Sequence, residues 1–147
     1  MGTPTGTRPH ASADRPGATA RPDAPGSGGG APPRVALVGV HGFGTPPLRN
    51  LERLQSAGAV ELVAVADPQP PAPGSVPPSA AVYPGLDELL AATHGLDVVI
   101  VATPIQTHAP LALAALATGA DLYLEKPPVA SLADFNRLCD AAAESGR

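Results

Sequence analysis

The chain has 147 residues and a formal net charge of −4, with 20 prolines, 16 glycines, one cysteine and no tryptophan. That length suits one domain of ordinary size, an acidic balance without any Lys/Arg cluster speaks against nucleic acid as a partner, and a single cysteine excludes a fold stapled by internal disulfides. No run approaches the ~20 apolar residues of a membrane span, no apolar core marks a signal peptide, and Gly6 stands where a myristoylation pattern needs Ser or Thr, so a cytoplasmic protein with no membrane partner is expected.

Residues 1–33 carry no Val, Ile, Leu, Phe or Tyr. Such a segment cannot bury enough surface to offset its ordering entropy, and a disordered Pro/Gly/Ala-rich tail is expected, with no role for His10. Order is expected from Arg34. "RVALVG" reads as a buried parallel strand. "TPPLRNLERLQSAG" reads as a helix with Thr45 as cap, Pro46 in its first turn, Leu48, Leu51 and Leu54 on its inner side, and Gly58 as its stop. "ELVAVAD" is a second buried strand ending in Asp67. Prolines recur through residues 68–79, which excludes a regular helix there and predicts a long loop.

A short strand "AAVY" follows, then a short helix over "GLDELLAATHG" with Leu86, Leu89 and Leu90 inward and His94 at its end. "DVVIVATP" is the most strand-like run. "THAPLALAALATG" reads as a helix capped by Thr107, with Pro110 near its start and Gly119 at its end. "DLYLEKPP" is a strand that stops where Pro127 and Pro128 forbid further ladder bonds. "SLADFNRLCDAAAESG" is a helix with a variant capping box, Ser131 and Asp134, and an apolar stripe of Phe135, Leu138, Cys139 and Ala142.

Alternating strands and helices predict an α/β fold with a doubly wound parallel sheet. Ligands in such sheets bind beyond the carboxyl ends of the strands, at the switch point. The polar and glycine-rich positions sit at those ends: Gly39 to Gly44, Asp67, Thr103–Pro104, and Glu125–Lys126–Pro127. In "GVHGFG" the first and third positions of a dinucleotide-binding loop are Gly39 and Gly44, and His41 takes the middle one. Gly39 serves the tight turn and Gly44 close helix–strand packing; the competing reading is an ordinary strand-to-helix turn. Asp67 stands where an acid receives ribose hydroxyls and repels a 2′-phosphate, which favours NAD over NADP; the competing reading is a turn aspartate before Pro68. Residue types and spacing assign no metal ligands.

"LYLEKPP", together with "ATPIQTH" from Ala102 to His108, resembles the signature of the glucose–fructose oxidoreductase, inositol dehydrogenase and MocA family. The resemblance runs over roughly residues 34–145. It implies a Rossmann domain followed by a second, substrate-binding domain, and hydride transfer between a nicotinamide and a sugar, polyol or related alcohol. By that resemblance Lys126 is the catalytic residue near the nicotinamide, Glu125 and Lys126 belong to the cofactor-binding set, and Thr103 and Pro104 touch the nicotinamide ribose or phosphate. His41 and His108 are candidate cleft residues. A first-turn histidine such as His108 is otherwise a solvated or capping residue, and Cys139 a small apolar one.

Three features depart from the family pattern. His41 replaces the middle glycine, which shifts the phosphate contact to Gly42, with Phe43 and Gly44 as the backbone donors that remain beside Pro46 and Pro47. The proline-rich loop stands in place of a helix. The sixth strand and the substrate domain have no counterpart in these residues, so the expected function is a cofactor domain that is inactive without a second domain. The alternatives are a non-catalytic dinucleotide- or partner-binding module and a truncated remnant. A free sheet edge makes a homo-oligomer a further expectation.

Overall fold

The computed structural model describes residues 30–147. The expected tail, with His10, lies outside the described residues apart from residues 30–33. Five strands, β1 (Arg34–Val38), β2 (Glu61–Ala66), β3 (Ala81–Tyr83), β4 (Val98–Val101) and β5 (Asp121–Leu124), form one parallel sheet in the order β3-β2-β1-β4-β5. The chain leaves β1 for β2 and β3 on one side, then returns to β4 on the other. The switch point therefore lies between β1 and β4, whose registers align Val35 with Val98 through to Val38 with Val101.

Period-2 alternation splits β1 between two cores. Val35 and Leu37 face one layer, with Leu62 and Val65 of β2 and with Leu48 and Leu51 of helix α1 (Thr45–Ser56). Ala36 and Val38 face the other, with Ala64, Ala66, Val99 and Val101, against Leu86 and Leu89 of α2 (Leu86–Ala92) and Ala115 of α3 (Ile105–Leu116). Small alanines on that second face let the helices come close. Leu37, Leu62 and Leu89 are fully buried, each worth about 2–3 kcal/mol over an exposed side chain. A third cluster packs Ala112 and Leu116 of α3 on Leu138 of α4 (Leu132–Ser145).

Residues 68–79 form no helix, as their prolines require. Val76 and Ala80 pack on the first core in its place. Gln55 ties this cover down: its Oε1 accepts from Leu62 N at 2.7 Å and its Nε2 donates to Ser79 Oγ at 3.1 Å. The capping box of α4 forms, with Asp134 N donating to Ser131 Oγ at 3.1 Å and the Ser131 hydroxyl donating to Asp134 Oδ2 at 2.8 Å.

Several local expectations are corrected. A 3-10 turn at Gly42–Gly44 precedes α1, so Gly44 is the cap position; the Thr45 hydroxyl instead donates back to Val40 O at 3.3 Å. Leu54 is exposed, because Leu48 and Leu51 alone point at the sheet. α3 begins at Ile105 rather than after Thr107, which places Pro110 inside the helix at the expense of one backbone bond. On α4, Leu138 is buried, Ala141 and Ala142 pack partly on it, and Phe135 and Cys139 are exposed. The helix turns a narrower stripe inward than its apolar sequence suggests. Among the described residues no helix is long and apolar enough to cross a membrane.

Candidate functional site

The loop from β1 to α1 is built on three glycines that are needed for three different reasons. Gly39 has φ +87°, and a Cβ there would stand 2.6 Å from Ala102 O, so both conformation and space demand glycine. Gly44 has an ordinary φ of −79°. A Cβ there would stand 2.0 Å from Gly39 O, so space alone demands it. Gly42 has φ +52° with nothing within 4 Å of its would-be Cβ, so only conformation does. The loop is pinned to β2 by Gly39 N to Ala66 O, and β1 to the end of β4 across the switch point by Ala102 N to Val38 O, each 2.8 Å.

Gly44 N donates to His41 O at 2.9 Å within the 3-10 turn. That removes Gly44 from the expected set of phosphate donors. Pro46 and Pro47 have no N–H. Gly42 and Phe43 are left with N–H groups that have no backbone acceptor among the described residues.

Asp67 follows β2 directly. Its Oδ2 accepts from Val40 N and its Oδ1 from Gln69 N, both at 2.9 Å. These bonds fix the carboxylate against the glycine loop. A carboxylate offers about four acceptor positions, so about two stay open. His41 has an extended backbone (φ −97°, ψ 163°), and its Nε2 lies 3.1 Å from Gln69 O. Its ring therefore reaches along the loop after β2.

A cavity of about 720 Å³ spans the carboxyl ends of β1, β2 and β4. Asp67 and His41 line it on the β2 side, Thr103 and Pro104 on the β4 side, and Gly39, Gly42 and Phe43 of the β1 loop line it as well. Among the described residues no cluster of His, Cys, Asp or Glu is set to hold a metal ion. Gly44 is buried and does not line the cavity. Glu125 and Lys126 do not line the cavity; they follow β5, one strand beyond β4. There Glu125 N donates to Val101 O at 3.0 Å and Lys126 N to Glu125 Oε2 at 3.2 Å, with the lysine exposed.

His108 is neither solvated nor a cap. It is 2% exposed, behind the cavity wall. The cavity also has walls that sequence reasoning missed. Thr107, Pro110 and Leu111 of α3 line it, as do Gly85 and Leu86 after β3. The first three follow Pro104 at helical spacing, and the last two sit at the one strand end to which the carboxyl-end rule was not applied.

Residues 33–147 match the model of the oxidoreductase family with an NAD-binding Rossmann fold, Gfo/Idh/MocA. The chain is similar to inositol 2-dehydrogenase of Acidiphilium cryptum, 29% identical over 116 residues, which are 78% of this chain and 34% of that protein. Its fold is similar to the crystal structure of D-galactose-1-dehydrogenase from Rhizobium etli (27% identity, TM-score 0.67, 82% of this chain and 37% of that one). It is also similar to the WlbA dehydrogenase of Thermus thermophilus in complex with NAD and UDP-GlcNAcA (31% identity, TM-score 0.64, 78% of this chain and 39% of that one). The chain thus spans a little over a third of the length of these relatives.

Proposed function

Because the chain belongs to the Gfo/Idh/MocA family of oxidoreductases, we propose that its cavity takes NAD and that it serves as the cofactor half of a dehydrogenase of a sugar, polyol or related alcohol. The observation that carries this is Asp67: a carboxylate fixed at the end of β2, beside a glycine loop too tight for side chains at positions 39 and 44. Its open acceptor positions suit the two hydroxyls of the adenosine ribose and disfavour a 2′-phosphate. Between the cavity's ends the N–H groups of Gly42 and Phe43 face the pyrophosphate. Thr103 and Pro104 take the nicotinamide half.

Bound, the nicotinamide carries the hydride. Lys126, on the adjoining strand, donates a hydrogen bond to the reacting oxygen, and its charge stabilises developing alkoxide. Lys126 stands outside the cavity lining among the described residues, and alcohol turnover by these 147 residues alone is not expected. Two relatives are dehydrogenases named for inositol and galactose, and a third is crystallised with a sugar nucleotide; these support the substrate class.

Calorimetric titration with NADH and NADPH tests the reading. NADH is expected to bind more tightly than NADPH. Asp67→Asn is expected to weaken NADH roughly 10- to 100-fold, the worth of hydrogen bonds to a charged group, and to narrow the gap to NADPH. No heat with either cofactor on folded protein would overturn the proposal.

A further inference from the structure

The wall of the cavity on the β4 side is a turn, Thr103–Pro104, with no ladder bond of its own past Ala102. One buried side chain holds it. His108 Nε2 lies 2.7 Å from Thr103 O, and His108 Nδ1 lies 3.0 Å from Pro128 O. Carbonyl oxygens only accept, so a ring nitrogen that bonds to either of them is the donor. His108 is the one buried polar side chain among the described residues. It joins the turn after β4 to the loop after β5, two residues beyond Lys126. A second clasp ties the turn to the same helix: the Thr107 hydroxyl donates to Pro104 O and shares a hydrogen bond with Thr103 Oγ1, both at 2.8 Å.

A buried histidine set between two carbonyl oxygens is an expensive way to fill space, where Leu would pack without polar atoms to satisfy. Its geometry suits a spacer. The rigid first turn of α3 carries a ring of fixed width, and its two nitrogens set the gap between the cavity wall and the lysine loop. We propose that His108 is a positioning residue: it holds the Thr103–Pro104 wall against the Lys126 loop and so fixes where the nicotinamide half of the cofactor lies. The adenosine half is held elsewhere, by Asp67 and the glycine loop, neither of which His108 touches. This rests on the dinucleotide reading above.

The two halves separate in a binding experiment. ADP-ribose carries the adenosine and pyrophosphate without the nicotinamide. His108→Gln keeps a donor towards Thr103 O, and His108→Asn keeps one towards Pro128 O. Each variant breaks one end of the spacer while staying polar. Both are expected to weaken NADH tenfold or more and to leave ADP-ribose within about twofold, consistent with the loss of a buried bond. A merely structural histidine would instead lower the melting temperature and move both ligands together, and that result overturns the inference. A readout on the wild-type chain does not depend on the variants folding: the His108 ring resonances in a proton–nitrogen spectrum are expected to shift with NADH and not with ADP-ribose. Equal shifts with both ligands, or none, also refute it. If the wild type binds neither ligand, the dinucleotide reading fails and this inference with it. If it binds both and the variants do not discriminate, only the inference on His108 fails.

Discussion

Replacing each loop glycine by alanine asks one question three times, and the structure gives three different answers. At Gly44 the backbone is ordinary, so the whole cost comes from a methyl group placed 2.0 Å from Gly39 O and 2.5 Å from Gly39 C. Backbone cannot swing aside as a side chain can. Overpacking of this kind costs about 2 kcal/mol, which for a domain of this size is a fall of roughly 10 °C in melting temperature or roughly 1 M in urea midpoint. At Gly42 the methyl meets nothing, so Gly42→Ala bears only the left-handed backbone, about 1 kcal/mol. Gly42 lines the cavity, however, and on the proposed reading its methyl would stand off the pyrophosphate, so this variant is expected to lose more NADH affinity than stability. Gly39→Ala suffers both penalties, with φ +87° and Ala102 O at 2.6 Å, and is expected to be the least stable, by roughly 3 kcal/mol. Urea unfolding followed by far-UV circular dichroism ranks stability, and NADH titration of the folded variants ranks affinity. A Gly44→Ala midpoint matching the wild type, or Gly42→Ala as the most unstable of the three, would refute the assignment of a separate reason to each glycine.

His41→Gly removes the ring from the cavity wall and lets backbone approach the phosphates, so NADH is expected to bind a few-fold tighter, about 1 kcal/mol; weaker binding in the same titration would make the histidine a ligand. Ser131→Ala removes the side-chain cap of α4 and is expected to cost about 1 kcal/mol, read as a melting temperature lower by roughly 5 °C. A melt unchanged from wild type would show that α4 starts without help from that hydroxyl.

The sheet was legible because its strands are short apolar runs bounded by Gly, Pro and Asp, and because helices alternate with them. The capping box of α4 was legible because Ser131 and Asp134 interact within one turn, where sequence distance is spatial distance. What failed depends on partners far along the chain. The fate of Leu54, Phe135 and Cys139 is decided by how wide a strip of each helix meets the sheet, which periodicity does not specify. His108 failed for the same reason. Its place in a first turn suggests solvent, and only the fold brings Pro128 over it. The tight contact of Gly44 with Gly39 agrees with a packing role, whereas its N–H is taken up by a 3-10 turn that nothing in "HGFG" announces.

The polar groups of the cavity are distributed unevenly, and that distribution links these expectations. Asp67 and His41 stand at the β2 end, Thr103 and Thr107 at the β4 end, and between them the floor offers backbone. A charged acceptor held by two backbone N–H groups is a strong anchor; two hydroxyls bonded to each other and to a carbonyl are a weak one. Affinity should therefore be set at the β2 end and orientation at the β4 end. Changes at Asp67, Gly42 or His41 then act on NADH and ADP-ribose alike, while changes at His108 act on NADH alone. Lys126 lies one strand farther on, joined to the wall by the Glu125 N bond to Val101 O and by the His108 bridge from Thr103 O to Pro128 O. A lysine on an exposed loop gains its aim from what holds the loop, so on the proposed reading the reacting end is organised by a buried residue that itself touches neither cofactor nor substrate.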